Sequence, residues 1–185
     1  MSSLLITTSF IGGAHGPWRV TAMDALAGEP LAPAETVAVI DGGAALSGPA
    51  WTLRGVASHL RYTNRDERAD LARRQEGLGR PDATCAALIP LRKSPAWWAL
   101  AQDERRRIIV DSSKHFVVGM RYLPAVARKL YHCRDLGEDF DFITWFEYAP
   151  RHASAFDDLL AALRASEEWQ YVDREVDVRM VLTIE

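Results

Sequence analysis

The order of apolar and polar positions changes period along the chain, and each change marks an element. Residues 3–10 and 17–24 read as short strands, parted by Gly12-Gly13 and Gly16-Pro17, which are turn chemistry. Residues 25–50 are rich in Ala, Gly and Pro, with few large apolar groups beyond the Val37–Ile40 run, and read as a loop around one strand. From Trp51 to Tyr62 a longer strand is predicted, with Val56, Leu60 and Tyr62 on one face at period two. Asn64 can cap a helix from about Arg65 to Gly77, whose charged residues give it a wet face.

Beyond Pro81 the pattern changes. Ala83 to Pro90 is a continuous apolar run, and Lys93–Trp98 is a turn-rich stretch around Pro95. Asp103 opens a helical region that reaches about Tyr131 and is broken at Pro124, because a proline inside a helix removes a donor and clashes with the preceding turn. At least two helical pieces are therefore predicted, with Pro124 in the first turn of the last. Phe140 to Tyr148 is a strand, and Pro150 to Ala165 an amphipathic helix with Phe156, Leu159, Leu160 and Leu163 at helical spacing. Val172, Val176, Val178, Met180 and Leu182 then share one face of a long final strand. This succession is α+β and compatible with a ferredoxin-like unit. No sequence-level repeat marks the N-terminal half as a shortened echo of it.

Composition narrows the function classes. A chain of 185 residues can bury a real core. Its formal charge of −3 lacks the basic surplus of a nucleic-acid binder, and the Arg73–Arg74 and Arg105–Arg107 spots are interleaved with acids, as on solvated helix faces. No stretch approaches the roughly 20 apolar residues of a membrane span, and the N-terminus lacks a basic n-region, so a cytoplasmic protein is expected. Cys85 and Cys133 form no Cys-x-x-Cys or Cys-x-x-Cys-His, which leaves zinc ribbons, redox dithiols and covalent haem attachment unsupported. Six Trp and six Phe are compatible with a thick core or with a planar cofactor.

Among the five His, no two lie at i,i+3 or i,i+4, so a zinc hydrolase site has no anchor, and Gly77 and Gly79 do not make a dinucleotide fingerprint. A metalloporphyrin asks for less: one axial His, an apolar slot and groups to hold two propionates. His115 lies in the helical region with Gly119 one turn on, where a small residue leaves room for a flat ring. Taken singly, residues of these types are more often structural: His115 an ordinary partly buried histidine, Arg128 a surface helix charge, and Trp97–Trp98 core or interface anchors.

Five segments carry a resemblance. They are Trp51-x-Leu-Arg-Gly-Val-Ala-Ser-His-x-Arg-Tyr62, Ala87-Leu-Ile-Pro-x-Arg-Lys-Ser-x-Ala-Trp-Trp98 and Tyr122-Leu-Pro-Ala-x-Ala-Arg128-x-Leu-Tyr-His-Cys-Arg-Asp135. Phe140-Asp-Phe-x-Thr-Trp-Phe-Glu-Tyr-Ala-Pro150 and Glu167-Glu-Trp-x-Tyr-Val-x-Arg-Glu-Val-Asp177 complete the set. Together they resemble the chlorite dismutase family, in its short, dimeric branch, over about residues 51–177; the first fifty residues contribute little.

The resemblance implies a dimeric α/β barrel fold made of two ferredoxin-like halves, a truncated one over residues 1–82 and a haem-binding one over 83–185. It implies a homodimer with one haem b per subunit, converting chlorite to chloride and dioxygen, with small anions as ligands and neither nucleic acid nor membrane as partner. His115 would be the proximal ligand, and Glu168, or its neighbour Glu167, would accept a hydrogen bond from the other imidazole nitrogen. Arg128 would be the mobile distal arginine and Gln75 the residue able to hold it in one orientation. Tyr62, Lys93 and Trp97 would contact the propionates, with Trp98 packed near the proximal side. The rival readings are a coproheme decarboxylase of similar barrel, a haem carrier or sensor of the same fold, and a haem-free barrel whose aromatics are all structural. Arg128 favours chlorite chemistry over the first two.

Overall fold

In a computed structural model of the chain, which describes residues 6–42, 48–57 and 77–183, eight strands close into one barrel. They are β1 (Thr7–Gly13), β2 (Trp18–Ala27), β3 (Thr36–Asp41), β4 (Trp51–Ala57), β5 (Cys85–Lys93), β6 (Val126–His132), β7 (Phe142–Tyr148) and β8 (Val172–Leu182). Helices α1 (Pro95–Ala99), α2 (Gln102–Arg107) and α3 (His115–Met120) lie between β5 and β6, and α4 (Ala153–Arg164) lies between β7 and β8. The order round the barrel is β1-β3-β2-β8-β5-β7-β6-β4, closed by antiparallel pairing of β4 with β1. Both sets of four, β4-β1-β3-β2 and β8-β5-β7-β6, follow the same 4-1-3-2 order when each is numbered from its own first strand. In the second set the chain runs strand, helices, strand, strand, helix, strand.

Alternation along the strands divides the apolar residues between two cores. Ala86 and Leu88 of β5, Ile143 and Trp145 of β7, and Val176, Val178 and Met180 of β8 point inward, where Phe10, Val37 and Tyr131 meet them. Phe10 stands edge-on to Tyr131 at 5.0 Å, and Trp18 edge-on to Trp145 at 5.4 Å. Ala87, Ile89 and Leu91 point outward from the same strand β5, to join Phe146, Tyr148 and the apolar stripe of α4. Strand β5 is thus covered on both faces, which is why Ala83–Pro90 is a run rather than an alternation. Phe156, Leu159, Leu160 and Leu163 of α4 are all buried; side chains of this size contribute about 1.5–3 kcal/mol each when withdrawn from water.

The strand expectations hold in kind, with β1 and β2 reaching further than predicted and β7 starting at Phe142. The stretch around Pro95 forms the short helix α1, with proline at its start, where a missing N–H costs nothing. The larger correction is at Pro124: no second helix follows it. Val126–His132 is strand β6, and it runs antiparallel between β7 and β4. Ala127 and Tyr131 are buried in the barrel while Val126, Arg128 and Leu130 face a cavity on its other side, so tertiary contacts on both faces override local helix preference. Val172 is the second correction. It packs with the outer core while Val176, Val178 and Met180 line the inner one, next to a register irregularity between Arg92 and Lys93. The helix expected over 65–77 and the end of the strand expected to Tyr62 lie outside the described residues, apart from Gly77, which is not helical.

Candidate functional site

The outer faces of β5, β6 and β7 form one wall of a cavity, and α1, the turn Ile108–Ser112, α3 with the residues after it, α4 and the turn Glu167–Tyr171 form the rest. Its lining is mostly apolar, with Ile89, Leu91, Val126, Leu130 and Phe146 on the strands and Leu159, Leu160 and Leu163 on α4. The polar side chains that line it are few: His115, Lys93, Glu168, Arg128, His132, Thr144, Tyr122 and the Trp97 and Trp169 indoles. Apolar walls with a few convergent polar groups are the usual form of a small-molecule or cofactor site.

His115 opens α3. A π-helical turn, Ile108–Ser112, closes with the Ser113 N–H donating to the Ile108 carbonyl at 2.8 Å. Lys114 then adopts a left-handed conformation, φ 49°, which turns the chain into α3. A non-glycine residue there is strained by about 1–2 kcal/mol. Lys114→Gly is therefore expected to raise stability by about 0.5–1 kcal/mol in urea unfolding, the relief of strain exceeding the entropy that glycine loses on folding.

His115 Nδ1 lies 2.9 Å from Glu168 Oε2, which leaves Nε2 as the ring nitrogen for a metal. The other carboxylate oxygen accepts from Lys93 Nζ at 3.0 Å, and that ammonium also donates to the Glu168 carbonyl at 3.2 Å. Lys93 is only 4% exposed and Glu168 8%. Burial alone would push the Glu168 carboxyl up, but the charges and hydrogen bonds of His115 and Lys93 outweigh it and hold its pKa at about 2. Burial lowers the Lys93 pKa, opposed first by the Glu168 charge. The ammonium also lies over the Trp97 ring at 4.7 Å and the Trp169 ring at 5.4 Å.

Arg128 reaches the same cavity from β6 and is half-buried. Desolvation pulls its pKa below the ordinary value, with the Glu168 charge opposing, and a guanidinium remains cationic at any working pH. The sequence-derived residues His115, Glu168, Lys93, Trp97 and Arg128 are thus brought to one cavity. Glu168, not the exposed Glu167, meets His115. Trp98 is not part of the lining: its Nε1 donates to Asp141 Oδ2 at 3.1 Å, and its ring stacks on cavity-lining Phe142 at 6.1 Å, one layer out. Tyr62 and Gln75 lie outside the described residues.

Two supporting residues escaped the sequence reading. Asp141, buried, accepts from the Lys93 N–H at 2.7 Å, Trp98 Nε1 and Arg134 Nη1, so one carboxylate ties the end of β5 to α1 and the end of β6. Ser113 accepts from the Glu168 N–H at 2.9 Å. Nothing in the spacing of either residue announces its partner.

A haem fits the residues present. Trp97 is 1% exposed and its indole N–H is a buried donor with no protein partner among the described residues, at a cavity where a propionate would supply the acceptor. A Cβ built on Gly119 meets nothing within 4 Å, so this wall of the cavity has open space beside it. Among the described residues no group of three or more His, Cys, Asp or Glu is placed to hold a metal ion, and a single axial ligand suffices for a metal that brings a macrocycle.

The chain is thus an α/β barrel of ferredoxin-like strand order that brings a carboxylate-anchored histidine and an arginine to one mostly apolar cavity. The chlorite dismutase family profile matches residues 42–182, and the chain belongs to the chlorite dismutase family. It is 53% identical to the dimeric chlorite dismutase of Nitrobacter winogradskyi, over 95% of this chain and 99% of that one, with a TM-score of 0.89. Two chlorite dismutase structures from Candidatus Nitrospira defluvii share the fold at lower identity. A variant in complex with cyanide is 18% identical over 99% and 92% of the two chains, with a TM-score of 0.66. An imidazole complex is 19% identical over 97% and 92%, with a TM-score of 0.63. No curated protein sequence matches the chain. Among the described residues no helix is long and apolar enough to cross a membrane.

Proposed function

We propose that the protein is a haem b-dependent chlorite dismutase, converting chlorite to chloride and dioxygen, with one haem in each subunit of a homodimer. The observation that carries this reading is the convergence of His115, fixed by Glu168, and cationic Arg128 on one mostly apolar cavity. Haem iron, when bound, would supply the redox chemistry that chlorite conversion needs. His115 would hold it, Lys93 and Trp97 would face the propionates, and Glu168, held anionic, would raise the basicity of the His115 ring. Arg128 attracts the chlorite anion without taking or giving a proton. Its charge would also keep hypochlorite, an oxidising anion, from escaping the cavity. The apolar walls limit water, which strengthens the guanidinium–anion interaction.

The repeated strand order supports a chain built from two ferredoxin-like halves meeting near residue 82, the first of them short of helices among its described residues. The 53% identity to a dimeric relative supports the homodimer.

Addition of chlorite to haem-loaded protein in a closed cell, followed with an oxygen electrode, tests the function. One O₂ per chlorite consumed is expected, and none from His115→Ala. Haem binding without oxygen release would turn the reading to a carrier or a coproheme decarboxylase, with coproheme the next ligand to try.

A further inference from the structure

We infer that Ser113 is a positioning residue for the His115–Glu168 pair: its hydroxyl fixes where the Glu168 carboxylate sits and thereby sets the electron-donating strength of the axial histidine. This rests on the haem-binding reading of the cavity. Glu168 has four polar atoms, and each is engaged. The carboxylate takes His115 on one oxygen and Lys93 on the other, the carbonyl takes Lys93 again, and the N–H goes to Ser113 Oγ at 2.9 Å. Three of these contacts act on the side chain or the carbonyl. Ser113 alone holds the backbone N–H, so it sets the point from which the side chain reaches.

The chain path supports this role. The π-turn seats Ser113, buried, with its N–H on the Ile108 carbonyl, and Lys114 in its left-handed conformation delivers His115 two residues later. Ser113 and His115 therefore grip the same glutamate, one by its backbone and one by its carboxylate, and the four-part ring they close has little freedom. A π-turn followed by a left-handed residue is costly local geometry. Such geometry is retained where the surrounding structure holds a group in place. A carboxylate held tightly on Nδ1–H gives the imidazole more imidazolate character, which favours ferric iron; a looser one favours ferrous iron. Loss of the hydroxyl should leave the turn itself in place, because Lys93 and the Trp169 Nε1–Glu175 hydrogen bond of 2.8 Å still anchor it.

The test compares the haem-loaded wild type, Ser113→Ala and Ser113→Thr by the ferric/ferrous midpoint potential from spectroelectrochemistry, with the dissociation rate of haem as a second readout. The alanine variant is expected to shift to a more positive potential and to lose haem faster, and threonine, which returns the hydroxyl, to bring both back toward wild type. An alanine variant at the wild-type potential, or a shifted potential that threonine does not restore, would overturn the inference. If alanine takes up no haem, threonine loading at the wild-type potential supports it and threonine failing to load overturns it. Failure of the wild type itself to bind haem would instead overturn the functional reading.

Discussion

Arg128→Ala is expected to lower the initial rate of oxygen release from chlorite by roughly 100-fold, the lower end of the scale on which a charge-stabilising donor acts in a site of low polarity. It is also expected to shorten enzyme lifetime. Arg128 is the cation that β6 projects into the cavity, and its guanidinium needs no proton to stay charged. Without it the substrate anion is attracted less, and hypochlorite escapes to oxidise the protein. Two numbers from one oxygen trace separate these effects: the initial slope gives turnover, and the total oxygen at excess chlorite gives turnovers before inactivation. Arg128→Lys should recover part of the slope, since an ammonium returns the charge without the planar fork. Haem loading should be unchanged in both variants. Wild-type slope and yield in Arg128→Ala would remove Arg128 from the mechanism.

How much of this was legible in the sequence depends on how many faces each segment buries. Helix α4, with one face on the outer core, shows its period plainly, and so do the inward residues Val176, Val178 and Met180 of β8. Segment Val126–His132 has a barrel interior on one side and a cavity on the other, so apolar and polar positions carry no single period and a helix is as good a reading as a strand. Pro124 correctly signalled a break, but the same restriction that stops a helix suits an extended chain, and the structure takes that second option. The tryptophans divide between two places: Trp18, Trp51 and Trp145 fill the inner core, while Trp97 lines the cavity.

The family resemblance singled out His115 and Arg128, and the structure places both on one cavity. What stayed hidden was the support behind those residues. Ser113 acts through a hydrogen bond to a partner 55 positions away and Asp141 holds partners 48 and 43 positions away; only folding makes such pairs neighbours. Arg164 is similar. It bridges to Glu175 and Asp177 on β8, and with the Trp169–Glu175 bond this fixes both ends of the turn that carries Glu168.

That turn makes Glu168 the most sensitive point for stability. Glu168→Ala is expected to destabilise the haem-free protein by about 3–5 kcal/mol in urea unfolding at neutral pH, the cost of leaving a buried partner charge uncompensated. Lys93, 4% exposed, is that partner. Glu168→Gln keeps the shape and one acceptor, so its cost should be smaller, and its pH dependence reports the charge itself. The carboxyl's pKa is about 2 in the folded protein against an ordinary 4.5. A depressed carboxylate pKa means that the unfolded chain takes up the proton first as pH falls. The wild type's advantage over Glu168→Gln should therefore be complete above pH 4.5, shrink below it, and vanish as pH approaches 2. An advantage that stayed constant from pH 7 to about 3 would mean that the amide loses packing rather than charge, and Glu168 would not be an anion held by His115 and Lys93.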